Sequence, residues 1–418
     1  MRLLLVSQYF WPETFGINAL ARALRERGVE ITVLTGKPNY PDGKVFAGHS
    51  AWGCYREDWQ GVEVFRVPLF PRGRRSALRL ALNYLSFVAA GMVFGPWLLR
   101  GKRFDAVFVY APSPLLQALP AVLLAGLKRA PLALWVQDLW PESLAATGFV
   151  RNRAALALVG GIVRFIYRHT DRILVPSEGF RAPIAALADD PAKIRYYPNA
   201  WVDEGCSGPA EAAPGTQLGM LAAKIADGFS VVFAGNLGTA QSLDTIVDAA
   251  ERLQREGLAV RFFLIGSGSL SGWLAAEIER RGLDNIELPG RFPASAMPAL
   301  YAAAAALLVS LRDEPIFAWT IPSKVQGYLA AGRPVIAALN GEGARVVAAA
   351  GAGLACPAGD AAALADTVRR LAALNAGVRS KMGDNARRYA AEHFALERLA
   401  TNLHVLLDEM AAVRPMDG

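Results

Sequence analysis

Cysteine is scarce in this chain: three residues in 418, Cys54, Cys206 and Cys356, odd in number and in no C-x-x-C pair. That pattern excludes a disulfide framework and a cysteine-built zinc site. Histidine is nearly as rare. His49, His169, His393 and His404 form no H-E-x-x-H motif and no i, i+4 pair, so no protein-bound catalytic metal is expected. No D-x-D triplet occurs, which disfavours transferases that hold a metal–diphosphate through one. The opening MRLLLVSQYF reads as a first strand rather than a leader, and the expected compartment is a reducing cytoplasm. Charge is sparse too, at 19% of residues with a net excess of +7. Basic and aromatic residues are not interleaved in any nucleic-acid module, so no nucleic-acid partner is expected. Much of the basic charge instead flanks apolar runs, which suits an anionic leaflet or a diphosphate.

What the chain has is apolar residues, 53% of the total, enough for a large core. At roughly 100–200 residues per domain the length suggests two domains. Strand-like and helix-like segments alternate. Arg2–Ser7, Val29–Thr35, Asp105–Tyr110, Leu132–Val136 and Arg172–Val175 read as strands, and Ala19–Arg27 reads as a helix stopped by Gly28. A Gly-, Pro- and Ala-rich break follows at Asp203–Gly219. The alternation then restarts with Ser230–Ala234, Val260–Ile265, Asn285–Leu288, Leu307–Ser310 and Pro334–Ala337, and Ala386–Met410 is helical in pattern. The expectation is two consecutive α/β domains with parallel sheets, binding ligands at the carboxyl ends of their strands.

Leu80–Leu99 carries no charge over its length, enough to span a bilayer. Arg72, Arg74, Arg75 and Arg79 precede it, and Arg100, Lys102 and Arg103 follow. A single crossing would put Asp105–Tyr110 on the opposite side from the first strand. A helix or helix pair in the interface is therefore the favoured reading, with Phe87, Phe94 and Trp97 in lipid and Arg75 and Arg79 on phosphates. A buried crossover is the other. Arg151–Arg168 could join the same surface.

Several loops carry residues suited to chemistry. Gly16 follows the first strand, and Gly235-Asn236-Leu237-Gly238 is the equivalent loop of the second half, with Gln241 beyond it. Backbone N–H groups at such turns can hold phosphate. Gly266 opens a broken G-x-G pattern that does not amount to a dinucleotide site. Ser323, Lys324 and Gln326 lie in the first turn of a helix announced by Pro322, where a lysine suits a diphosphate. Asp138 and Glu142 follow a strand directly, placed to bind acceptor hydroxyls or act as a base. Arg291, and Glu314 in Arg312-Asp313-Glu314, occupy similar positions in the second half.

Seven ordered stretches resemble one family. They are SQYFWPE with Gly16, PNYPDGKVF at Pro38–Phe46, QDLWPES at Gln137–Ser143, PSEGFR at Pro176–Arg181, PNAW at Pro198–Trp201, AGNLGTAQSLDTIVDAA at Ala234–Ala250 and IPSKVQGYLAAGRPVIA at Ile321–Ala337. The chain resembles the group-1, family-4 glycosyltransferases with the GT-B fold, in particular the bacterial branch that builds O-antigen, capsule and colanic-acid-type polysaccharides, L-fucosamine transferases included. The resemblance implies two Rossmann-like domains facing a cleft, with a C-terminal helix crossing back to the first. Residues 1–200, with a helix at about 395–418, would form the acceptor and membrane-docking domain, and 201–394 the nucleotide-sugar domain. It implies a UDP-sugar donor, an undecaprenyl-diphosphate-linked acceptor, no cofactor and no metal, at the cytoplasmic face of the bacterial inner membrane. The sugar moved would be a hexose or an N-acetylated deoxyhexosamine.

The chain departs from the family's pattern at its charged positions. Asn236 and Gln241 stand where many members have Arg and Lys, Trp319 and Gly327 where many have two glutamates, and Gln137 where His precedes Asp138. Lys324, Arg291 and the amides around Gly235 are the expected replacements for the missing cations. Asp138, Glu142 and Glu314 are the available acids, Asp138 first for acceptor activation. Those departures leave room for a UDP-sugar 2-epimerase of the same plan or a non-catalytic scaffold of a polysaccharide assembly complex.

Overall fold

A computed structural model describes residues 1–73, 77–146, 152–201, 212–213 and 215–413. The chain divides into two compact units, Met1–Ala200 with Leu396 onward, and Trp201–Ala395.

The first unit holds an eight-stranded sheet. Its strands are β1 (Arg2–Val6), β2 (Glu30–Thr35), β3 (Tyr55–Trp59), β4 (Val62–Arg66), β5 (Ala106–Ala111), β6 (Leu132–Val136), β7 (Arg172–Val175) and β8 (Ile194–Tyr196), in the order β3-β4-β2-β1-β5-β6-β7-β8. Every neighbouring pair is parallel except β3 with β4. Strands β5 and β6, and β1 beyond Arg2, are apolar throughout because helices cover both faces of a parallel sheet. Strand β3, YREDW, is half-exposed at the edge, and its charged alternation gave no apolar run to read.

The second unit has six strands, β9 (Phe229–Ala234), β10 (Val260–Ile265), β11 (Ile286–Gly290), β12 (Ala306–Ser310), β13 (Val335–Ala338) and β14 (Gly353–Cys356), all parallel, in the order β11-β10-β9-β12-β13-β14. The break expected at Asp203–Gly219 is shorter than its composition suggests. Residues 202–211 and 214 lie outside the described residues, but Gln217–Ala226 is already a helix. Thr216 caps it, its hydroxyl accepting the Gly219 N–H at 3.0 Å.

The helical stretch Ala386–Met410 is two helices, Ala376–His393 and Leu396–Val413, parted at Phe394 and Ala395. Phe394 is fully buried in the second unit, and its carbonyl accepts the Trp201 N–H at 2.8 Å. Helix Leu396–Val413 returns to the first unit. It buries Leu399, Leu403, Leu407 and Met410 at helical spacing against helix Gly16–Glu26. Each such side chain contributes roughly 1.5–3 kcal/mol when removed from water.

Helix Ala77–Leu98 is single and continuous, and it is long and apolar enough to cross a membrane. It joins β4 to β5 within one parallel sheet, with Leu3 in register with Ala106. A crossing would part those strands, so the helix lies against its own unit. One face is buried: Asn83, Phe87, Gly91 and Gly95. Gly91 leaves no room for a Cβ beside Pro120, and one on Gly95 would lie in tight contact with Leu34 and Leu124. The other face is open, with Leu78 71%, Leu85 55%, Val93 67% and Trp97 58% exposed. Phe94 is 37% exposed and belongs to that face, and Arg79 is exposed at the start of the helix. Phe87 does not: at 0% exposure it packs towards Gly36, and its assignment to lipid is corrected. Arg75 lies outside the described residues.

Candidate functional site

The second unit gathers its candidate residues at the carboxyl ends of β9, β10, β11 and β12. The chain segments leaving β9, β10 and β11 interlock there through backbone hydrogen bonds. Gly235 N donates to Ile265 O at 2.8 Å, Gly266 N to Gly290 O at 2.8 Å and Leu237 N to Ser267 O at 3.0 Å. Gly235 and Gly266 have φ of +141° and +145°, conformations that side chains rarely adopt. A Cβ on Gly266 would lie 1.8 Å from the Gly235 carbonyl oxygen, and one on Gly235 would lie 2.6 Å from Lys324 Cε. The glycines are therefore required by close approach, of one loop to the other and of a lysine to the backbone.

Lys324 is the second residue of helix Ser323–Ala331, opened as expected by Pro322 and closed by Gly332 at φ +68°. Its ammonium lies 3.8 Å from the Phe233 ring centre and donates to Gln241 Oε1 at 2.6 Å. Among the described residues no carboxylate pairs with it. Burial pushes its pKa down from the usual lysine value to about 7. A cation at a helix's positive end is also electrostatically misplaced. Both penalties are removed by an anion at the loop, so the arrangement is built for a negatively charged ligand.

The remaining candidates surround this point unequally. Asn236 is exposed beside Gly235, and Arg291 is exposed immediately after Gly290, whose carbonyl holds the Gly266 loop. Ser323 is exposed at the helix start. Gln326 is buried at 3% exposure, a place in the packing beneath the loop rather than on its open surface. Glu314 is exposed and precedes the short helix Pro315–Ala318, while Arg312 N donates to Ala240 O at 3.0 Å and ties that loop to the Gln241 turn.

The structure also accounts for one missing glutamate. A Cβ at Gly327 would lie 2.7 Å from Trp201 Cζ3 and 2.9 Å from Trp201 Cη2, so the indole occupies the space a longer side chain would need.

Asp138, Glu142 and Gly16 lie in the first unit. Asp138 follows β6, and both its carboxylate oxygens are engaged in their own turn, accepting from Trp140 Nε1 at 3.2 Å and from Ser143 Oγ. Glu142 begins helix Glu142–Ala146, where a carboxylate is favoured. Gly16 is exposed at the start of its helix, with nothing within 4 Å of where a Cβ would be.

Residue-by-residue reading missed a polar cluster at this same edge. Glu13 is 1% exposed, and its Oε1 accepts the N–H groups of Asn39 and Tyr40, each at 2.7 Å. Burial pushes its carboxyl up to about 7, against the pull of those bonds and of Arg66. Asn39 Oδ1 in turn accepts Arg72 N at 3.1 Å, and Asn83 Oδ1 accepts Gln8 Nε2 at 2.7 Å. The only signal was that Glu13 and Asn39 fall within two of the seven resembling stretches. Their contact joins loops 26 residues apart, which spacing does not reveal.

Comparisons with known proteins agree with this architecture. Residues 15–200 match the family model of the glycosyl transferase 4-like domain, and residues 228–373 match that of glycosyl transferases group 1. WbjE of Pseudomonas aeruginosa, described as a probable glycosyltransferase, is 27% identical over 83% of this chain and 85% of its own. WcaI of Escherichia coli K12, described as a colanic acid biosynthesis glycosyl transferase, is 26% identical over 79% of this chain and 82% of its own. Among solved structures, sucrose-phosphate synthase of Thermosynechococcus elongatus superposes with TM-score 0.72 at 18% identity over 99% of both chains. HepE of Anabaena, solved in complex with UDP, gives 0.67 at 15% identity over 98% of this chain and 100% of its own. WaaG, a glycosyltransferase of lipopolysaccharide biosynthesis, gives 0.61 at 16% identity over 97% and 99%. With two such family models filling its two units in order, the chain belongs to the group-1, family-4 glycosyltransferases and is an enzyme of the GT-B fold.

Proposed function

We propose that the enzyme moves a hexose, an N-acetylated deoxyhexosamine being the first candidate, from a UDP-sugar to an undecaprenyl-diphosphate-linked acceptor during bacterial cell-surface polysaccharide synthesis. The observation that carries the donor half is Lys324, part-buried over Phe233 at a glycine-lined loop with one neutral partner. In this reading the UDP diphosphate lies along Gly235–Gly238. Lys324 turns from Gln241 to the phosphate oxygens, and Asn236, Ser323 and Arg291 add donors. Charge that develops on UDP as the glycosidic bond breaks is stabilised in place by this preorganised cation and the helix's N–H groups. Gly16 and Gly266 give the backbone close access, and Asp138, with Glu142 beside it, receives the acceptor hydroxyl. Glu314 is the acid on the donor side. No cofactor beyond the nucleotide-sugar enters the scheme. The exposed face of helix Ala77–Leu98 supports work at the cytoplasmic face of the inner membrane.

The test is UDP release by the detergent-solubilised enzyme over a panel of UDP-sugars, with and without undecaprenyl-diphosphate N-acetylglucosamine. Acceptor-dependent release with a lipid mass gain of one sugar is expected. Release without acceptor, with free or isomerised sugar, would overturn the reading. Lys324→Met is expected to lower turnover by about 10²–10³-fold. The lysine's lowered pKa adds a proton signature. Above pH about 7 the free enzyme holds Lys324 neutral, and an arriving diphosphate favours the charged form. UDP binding therefore takes up a proton in that range, and affinity falls as pH rises. Calorimetry in buffers of different ionisation enthalpy reads this directly, and Lys324→Arg should abolish it.

A further inference from the structure

Arg72 stands apart among the arginines of the first unit. Its guanidinium lies 5.1 Å from the Tyr40 ring centre, yet among the described residues it makes no ion pair and no side-chain hydrogen bond. Its backbone is fixed, because Arg72 N donates to Asn39 Oδ1 at 3.1 Å, and the Asn39 and Tyr40 N–H groups are held by buried Glu13. Tyr40, 38% exposed, packs on Phe15 at 5.2 Å and Tyr9 at 5.8 Å, so the ring that seats the guanidinium is itself seated. A guanidinium held by an aromatic ring rather than by a carboxylate keeps its N–H groups available, and a guanidinium can bind phosphate in a bidentate manner.

Two neighbours give the group a direction. Tyr84, on helix Ala77–Leu98, lies close to Tyr9 and Ser113 and within electrostatic reach of both Arg72 and Asp138. Along the same helix, Leu78, Leu82 and Leu85 are exposed by 71%, 40% and 55%. An apolar helix face, an unpaired guanidinium, a phenol and a carboxylate at a strand end thus share one neighbourhood.

We infer that Arg72, seated on Tyr40, binds the diphosphate of an isoprenoid-diphosphate acceptor, whose tail runs along the open face of helix Ala77–Leu98 and whose sugar points towards Asp138. This rests on the lipid-diphosphate acceptor of the proposed function and assigns its anion to one side chain. Tyr84 supplies the hydroxyl between the phosphate and the sugar.

Farnesyl diphosphate serves as the probe, farnesol as its uncharged counterpart, and both are titrated into the full-length enzyme in detergent with UDP saturating, so that the Lys324 loop is occupied. Wild type should bind farnesyl diphosphate at least about tenfold tighter than farnesol. Arg72→Met should remove that difference with UDP affinity unchanged, and Arg72→Lys should restore part of it. Tyr40→Leu, which leaves the arginine but removes its seat, should lose a smaller part and carries the test if Arg72→Met does not fold. Unchanged farnesyl diphosphate binding in Arg72→Met, or in Tyr40→Leu where that variant stands in, overturns the assignment of Arg72. Equal binding of farnesyl diphosphate and farnesol by wild type overturns the lipid-diphosphate acceptor itself. Those two failures are distinct.

Discussion

The two units present opposite chemistry at the carboxyl ends of their sheets. The second unit's edge is built from glycines so close-set that added methyl groups would overlap a carbonyl or Lys324, and it carries one part-buried cation. The first unit's edge is built from aromatic rings and carboxylates, with Tyr9, Phe15 and Tyr40 in mutual contact and Glu13 buried beneath them. In each edge burial has moved one ionisable group to near neutrality, Lys324 downwards and Glu13 upwards, both to about 7. Among the described residues the lysine has no charged partner. The glutamate has two backbone N–H partners and holds a loop in place. A shifted pKa alone does not distinguish these roles; the surrounding partners do.

The comparison breaks most sharply at the glycines. Gly266→Ala puts a methyl group 1.8 Å from the Gly235 oxygen, whereas Gly16→Ala meets nothing within 4 Å. The first should weaken UDP binding by about 100-fold or more, near 2.7 kcal/mol, and lower the melting temperature. Gly16→Ala, at the first position of a helix, should leave the melting temperature unchanged or raise it slightly, with any loss confined to turnover. UDP titration and thermal unfolding of both variants check this. Equal behaviour would mean that the Gly235–Gly266 contact does not shape the donor loop.

Putting back a family carboxylate acts on stability rather than on binding. Gly327→Glu drives a charged side chain into the space of the Trp201 indole, 2.7 Å from its would-be Cβ. The variant should lose about 3–5 kcal/mol of stability with no gain in turnover. Combining it with Trp201→Ala should recover part of the loss, because the two sites are in contact. A more active single variant would show that the missing glutamate is a catalytic defect rather than a repacked position.

What was legible in the sequence follows from how local each signal is. Buried parallel strands such as LALWV and, Arg261 apart, VRFFLI are apolar runs, and they were placed nearly to the residue. Pro322 and Gly332 bracketed the Lys324 helix by local rules alone. Strand β3 was not legible, because an exposed antiparallel edge has no apolar period. The inner face of helix Ala77–Leu98 was not legible either: Phe87 and Phe94 look alike in sequence, and only the sheet beneath decides which is covered. Glu13 and Asn39 escaped notice for a third reason, and Arg72 was read only as one of the basic residues before Leu80–Leu99. Their meaning lies in contacts between loops, and no spacing rule reports those.

The gentlest probe of the comparison is Glu13. Its carboxyl is raised from 4.5 to about 7 in the fold, so between those values the folded state binds more protons than the unfolded state. Unfolding free energy must then fall as pH rises through that window and level off above about 7. The full contribution is about 3 kcal/mol. Glu13→Gln cannot titrate but keeps an oxygen for the Asn39 and Tyr40 N–H groups. Measured by urea unfolding from pH 5 to 8, the variant should gain on wild type as pH rises, and the two curves should run parallel above 7. Parallel curves across the whole range would mean that Glu13 is ionised throughout. The two N–H bonds would then outweigh burial, and Glu13 would hold a full negative charge at neutral pH, where Lys324 is only partly protonated.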